Sequence, residues 1–558
     1  MNEPNQSQPN SLPDDPIHTG SADTGSADES LLATDRKRMT MLVALAILAW
    51  TALADWLIYR SYGYSGPAAF FTAAPFLILL SHWRNSDAKG DANSVTLGNR
   101  KLILAILLLL ILLGSLRLAF VGTGWVMISL LLLTMAYSLA ASGCVPWAAE
   151  TFMVFFWAPI DGLVWLFYHR LPKVGKAKEA ATSPGATLAW LLPALATVTF
   201  ATIFVLANPD LMGKVTSIWT AASDWAFGWF NRMDAWEPPF CVIALLVGAG
   251  LFFPYFAKWR IGGIDSAPVV KPSANSVLYV AFRNMLTCLI VLFVSYLVFE
   301  FQTLYKRDFP DGFYYAGYAH EGAAWLTVAL ALSTGMLSFV FRGEILNDPR
   351  INRLMKLAWI WSGLNFLLAA SVYNRLMIYV GYNGLTQMRI VGFFGTSIVV
   401  AGFVLVLLKI AKRKGFWWLL RSQSTAFVLG LILLAIFPSD WVAHRYNSAR
   451  VLDGYLHPSV MVAVKSKDEF GYLAILPLVD AEDQIIRDGV RAMLAERQIE
   501  IERKTASKQW HWTMFQWGTD LLYPRLIANE SKLRTYLDDG DKRLKAINTF
   551  IYYSKRWY

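Results

Sequence analysis

Three ionisable residues, Arg117, Arg283 and Glu300, lie within long apolar runs. A charge at such a position is costly in a bilayer, so each is a candidate for a substrate path, a proton relay or a buried ion pair. The commoner outcome is structural. A long side chain snorkels to water near a span end, or an internal pair fixes how two helices pack.

A denser polar cluster follows between Asp308 and Arg389. Tyr314, Tyr315, Tyr318, His320 and Glu321 lead into one apolar run; Asn374, Arg375, Tyr379, Tyr382 and Asn383 follow the next; Thr386 and Arg389 open the return. The candidate site is Tyr318, Glu321, Asn374, Arg375, Tyr382, Thr386 and Arg389. His320 and Glu321 diverge by about 100° around a helix, so that pair alone does not build a metal site. Glu321 is expected to pair with Arg375 or Arg389 across a helix interface. In the C-terminal region, His511 between Trp510 and Trp512, with Trp517 nearby, reads as an aromatic stretch at headgroup level rather than a stacking site.

The sequence has no G-x-S-x-G, H-E-x-x-H, Walker-type or dinucleotide-binding pattern. Cys144, Cys241 and Cys288 sit in or beside apolar runs without metal-ligand spacing and read as small hydrophobes. The expectation is no catalytic residue, no metal, no cofactor and, on balance, no enzyme.

The elements that must position these residues are membrane helices. Of the 558 residues 56% are hydrophobic and only 16% charged, too apolar for an ordinary soluble protein. A span needs about 20 apolar residues. Runs of that kind occur at Met41 to Tyr59, Ala68 to Trp83, Leu102 to Phe120, Trp125 to Ala141, Ala186 to Ala207 and Phe240 to Phe256. Others occur at Leu278 to Phe301, Ala323 to Phe341, Leu357 to Tyr373, Ile390 to Ile410 and Phe416 to Phe437. The predicted fold is therefore all-α: a polytopic bundle of about eleven spans carrying a small, mainly helical C-terminal extramembrane module.

The net charge of +10 comes from Lys/Arg clusters at span ends, the positive-inside pattern, and excludes nucleic acid as the expected partner. Val145 to His169 contains Glu150, Pro159 and Asp161 and precedes Arg170, Lys173, Lys176 and Lys178. Read as a cytoplasmic interfacial or re-entrant segment, it keeps every basic cluster on one face. The expected division is a disordered cytoplasmic tail over 1–38, a first four-span group over 39–143, the interfacial segment and basic loop over 144–185, a seven-span core over 186–438 and a polar region over 439–558. With eleven spans the N-terminus is cytoplasmic and the C-terminus extracytoplasmic.

Tyr318-Ala319-His320-Glu321-Gly322, Asn374 to Tyr379, Tyr382-Asn383-Gly384-Leu385-Thr386 with Arg389, and Pro438 to Ala443 with Asn447, Arg450, Asp453 and Tyr455-Leu456 occur in that order. This combination resembles the bacterial polytopic membrane families described as domains of unknown function 4153 and 4173. His320 stands where those families usually have Arg, and the tail beyond Asp480 has no counterpart there. The resemblance implies a bacterial inner-membrane location and an uncharacterised role in signalling or envelope regulation. It supplies no catalytic residues.

Three functions fit these features. A non-enzymatic scaffold or sensor component, touching the lipid bilayer and an envelope partner through 439–558, leads. A secondary transporter of a small solute using the intramembrane charges is second, and a membrane-embedded transferase acting on envelope lipids is third.

Overall fold

The computed structural model describes residues 41, 43–82, 97–170, 216–217, 220, 234, 236–252, 276–306, 315–341, 348–412, 414–506 and 511–557. Among them every regular element is helical. The tail over 1–38 and the expected span Ala186 to Ala207 lie outside the described residues.

The bundle consists of α1 (Val43–Tyr59), α2 (Ser65–His82), α3 (Leu97–Phe120), α4 (Gly124–Ala141), α5 (Ala148–Arg170), α6 (Glu237–Phe252), α7 (Ser276–Lys306), α8 (Tyr315–Val340), α9 (Ile351–Asn383), α10 (Gln387–Ala411) and α11 (Phe416–Ile436). Seven helices, α3, α4 and α7 to α11, are long and apolar enough to cross a membrane, and α1, α2 and α6 are shorter apolar helices. Seven of the eleven expected runs thus reappear at span length. The others are shorter or fall outside the described residues.

Apolar side chains point both inward and outward, as a bundle in lipid requires. Leu118, Leu130, Leu139 and Phe252 are buried in a core shared by α1 to α6 and by Ile432 of α11. Meanwhile Leu109, Leu112, Leu113 and Leu116 on α3 are exposed. A second core joins α7 to α11 through Leu286, Leu337, Trp361 and Val406.

Val145 to His169, expected to lie at the interface, contributes nearly all of α5, a single helix packed lengthwise on α6. Gly162 lies against the Leu246 carbonyl and Gly250 against the Ala158 carbonyl. The paired positions rise in one helix as they fall in the other, so α5 and α6 are antiparallel. Only glycine permits this approach, the small-residue packing that draws membrane helices together. Glu150, near the start of α5, is buried and paired with Arg421 of α11 at 3.0 Å. Its charge is therefore matched inside the bundle.

One end of the bundle collects cations. Arg100 binds the Ala141 carbonyl, Arg350 lies 4.2 Å from the Tyr279 ring centroid, and Lys409 donates to the Phe341 carbonyl at 3.0 Å. The opposite end carries the C-terminal residues: α12 (Ser439–Leu452), α13 (Ser459–Val464), α14 (Glu469–Ile475), α15 (Gln484–Ala506), α16 (Trp517–Ala528), α17 (Glu530–Asp538) and α18 (Gly540–Ser554). These form a module with its own core, including Ile475, Leu494, Leu526, Leu533 and Phe550. Gly489 leaves the room in which the Phe550 ring sits.

Candidate functional site at the module end

Arg375 and Glu300 form a buried ion pair between α9 and α7, with side chains 5% and 3% exposed. The guanidinium takes both carboxylate oxygens as a fork, Nε to Oε1 at 2.7 Å and Nη2 to Oε2 at 2.5 Å. Each helix adds a hydroxyl from one turn earlier: Tyr296 donates to Oε2 at 3.0 Å and Ser371 to Oε1. Four donors on one carboxylate compensate its removal from water, so the pair is built to stay charged and fixed. Arg375 therefore takes Glu300 as a partner; the expected pairing of Glu321 with Arg375 or Arg389 falls on a side chain outside the described residues. Tyr318 and Glu321 are in α8, but their side chains lie outside the described residues.

The α9 to α10 turn is held from within. Thr386 caps α10 by accepting the Arg389 amide at 3.3 Å. Arg389, buried, donates to the Gly384 carbonyl, and its guanidinium lies 3.9 Å from the Tyr379 ring centroid. Gly384 has φ +85°, a left-handed conformation that favours glycine. Tyr382 is exposed, and its carbonyl accepts the Tyr455 hydroxyl at 3.0 Å. Asn374 is half-buried beside Arg375.

The intramembrane cations part ways. Arg283 is exposed and donates to neighbouring Asn284 at 3.0 Å. Arg117, at the module end of α3, reaches Asp468 at 3.1 Å.

Sequence reasoning missed the element that gathers these pieces. On α12, Asp440, His444, Asn447 and Ser448 are all buried. Their spacing of four, three and one places them on one side of the helix, so α12 buries a polar face. Asn447 accepts the Leu385 amide and donates to the Leu385 carbonyl, both at 2.7 Å. One Asp440 oxygen receives Gln387 at the start of α10, and the other receives the Asp468 amide at 2.9 Å. Asp468 in turn caps α14 through Gly471 at 2.9 Å. A polar chain thus runs from α10 through α12 to the start of α14 and on to α3. The signal was present in the polar spacing of Asp440, His444 and Asn447.

Burial sets the electrostatics here. Desolvation, with Asp440 beside it, pushes the Asp468 carboxyl up to about 6. Burial, reinforced by Lys467, pulls His444 down to about 4. Burial also lowers the Lys467 ammonium to about 8. Among the described residues no group of three or more His, Cys, Asp or Glu is placed to hold a metal ion.

A family model described as "Domain of unknown function (DUF4153)" matches residues 118–462, more than half of the chain. The match takes in Glu300, Arg375, Arg389, Asp440 and Asn447, and stops before Asp468. No curated protein and no solved structure matches.

Proposed function

The chain belongs to the DUF4153 family, and from that premise we propose that it is a non-enzymatic scaffold or sensor component of a bacterial inner membrane. In this reading the bundle crosses the membrane about eleven times and presents the module at one face. The cation-rich end is cytoplasmic by the positive-inside rule. The module, with Arg389 and Asp440 beneath it, is then extracytoplasmic and meets an envelope partner through 439–558.

The observation that carries the reading is where the polar side chains of the site are directed. Asn447 closes on Leu385, Asp440 joins Gln387 to Asp468, and Asp468 meets Arg117. Such contacts join two bodies. A substrate site needs convergent polar groups lining an open cavity.

Crosslinking in native membranes tests this. Wild-type chain is expected to retain an envelope protein that Asp440→Ala loses, while purified chain in proteoliposomes moves no solute. Solute flux abolished by Glu300→Gln would instead promote transport, a reading favoured by the Glu300 and Arg375 pair within α7 and α9.

A further inference from the structure

The segment that leads into α16 is strapped across the membrane ends of the first helices. Thr513 Oγ1 accepts the Tyr62 amide at 3.0 Å, and the Phe515 carbonyl accepts the Ser65 hydroxyl. Gln516 Oε1 accepts the Gly122 amide at 2.7 Å. Trp512 lies 5.7 Å from Trp56 between ring centroids. Trp517 then meets Phe120, the last residue of α3, edge-on at 5.2 Å. Helix α16 therefore starts at the level where lipid-facing α3 ends.

From there α16 is apolar on two sides. Leu522 and Leu526 are buried in the module core. On the other side Trp517, Leu521, Pro524 and Ala528 are exposed, and their spacing of four, three and four draws one stripe along the 12-residue helix. Trp517 is 42% and Leu521 44% exposed. Exposed Arg525 flanks the stripe. The stripe continues the lipid-facing surface of α3 through the Phe120 and Trp517 contact. An apolar face with a Trp at its membrane end and a cation at its edge suits the headgroup boundary, where rings and stems enter the acyl layer and guanidinium meets phosphate.

We infer that α16 is an interfacial membrane helix whose Trp517, Leu521, Pro524 and Ala528 face rests in the lipid leaflet, so that the module is seated on the bilayer as well as on the bundle. This rests on the bundle crossing the bilayer, and the experiment separates the two claims. Cys144, Cys241 and Cys288 are replaced by Ala in the full chain. Single cysteines at Leu521, at Leu544 on α18 and at Leu113 on α3 then carry an environment-sensitive fluorophore in phosphatidylcholine and phosphatidylglycerol vesicles. Leu544 is 59% and Leu113 43% exposed.

The label at 521 is expected to lose most of its emission to a lipid-borne quencher and little to aqueous iodide, with 544 behaving oppositely and 113 reporting lipid. If 521 follows 544 while 113 reports lipid, the inference falls and the bundle reading stands. If 521 is shielded from both quenchers, a protein surface covers the stripe and the inference also falls. A label at 113 that iodide reaches would overturn the bundle reading itself.

Discussion

Asn447 grips the backbone of Leu385 from both sides: its carbonyl oxygen takes the Leu385 amide and its amide donates to the Leu385 carbonyl, each at 2.7 Å. The turn between α9 and α10 is thereby fastened to α12, which only Phe437 and Pro438 separate from the end of α11. Asn447→Ala removes both bonds and leaves two half-buried backbone groups without this partner, an expected loss of about 1 to 3 kcal/mol. Gly384→Ala is expected to be similarly damaging, since its φ is +85° and an added Cβ would lie 2.5 Å from Asn447 Oδ1. Thermal unfolding of detergent-purified protein checks both. Wild-type melting in either variant would contradict the clamp.

Glu300 and Arg375 should behave as a unit. Neutralising either one removes the opposite charge from its buried partner, at a cost of about 3 to 5 kcal/mol. Replacing both together, with Glu300→Leu and Arg375→Met, is expected to recover most of that loss. A double-mutant cycle on melting temperature reads the coupling. Additive losses would mean that the pair does not interact.

Two groups beside the joint respond to acid in opposite directions. The His444 pKa is depressed from about 6.5 to about 4, so its contribution to stability is complete above pH 6.5 and lost as the pH falls toward 4. The Asp468 pKa is raised from the ordinary carboxylate range to about 6, so its contribution is complete below about 4 and lost as the pH rises through 6. Each amounts to something on the order of 3 kcal/mol. Lys467 stays charged throughout that window. Relative to wild type, His444→Phe should gain stability as the pH is lowered from 6.5 to 4, and Asp468→Asn should lose it. Melting series at several pH values check this, and parallel profiles for all three proteins would contradict it.

The apolar runs were legible because length and composition suffice for a span. Leu102 to Phe120, Ile390 to Ile410 and Phe416 to Phe437 reappear within a few residues as parts of α3, α10 and α11. Val145 to His169 was harder, since it carries Glu150 and Asp161 and since a crossing would put the basic cluster from Arg170 to Lys178 on the face opposite the others. Its neutralising partner Arg421 lies on α11, far along the chain. The cluster from Arg375 to Arg389 was recognisable as polar residues bunched at span ends. Its partners were not, because a helix's own periodicity says which face a residue occupies and nothing about which helix meets that face. That Glu300 meets Arg375, and Asp440 meets Gln387, is found only once the helices are assembled.

The packing of α5 on α6 has a topological consequence. Arg170 ends α5 at the end of the bundle where Asp234 and Glu237 lead into α6. Cysteines placed at Arg170 and Asp234 in a chain lacking its native thiols should react with an impermeant maleimide from the same side of sealed vesicles. Labelling from opposite sides would contradict the antiparallel pair. Gly250→Leu should separate the helices, because its side chain would strike the Ala158 backbone, and melting of the purified variant should fall well below wild type.

Helix α12 is a joint fastening the module to the membrane bundle. Hydrogen exchange on the full chain in nanodiscs, comparing wild type with Asp440→Ala, tests it most directly. Faster exchange is expected at 384–390 and at 468–475, on both sides of the joint, with the interiors of α7 and α9 unchanged. Exchange that is unaltered in 468–475 would contradict it.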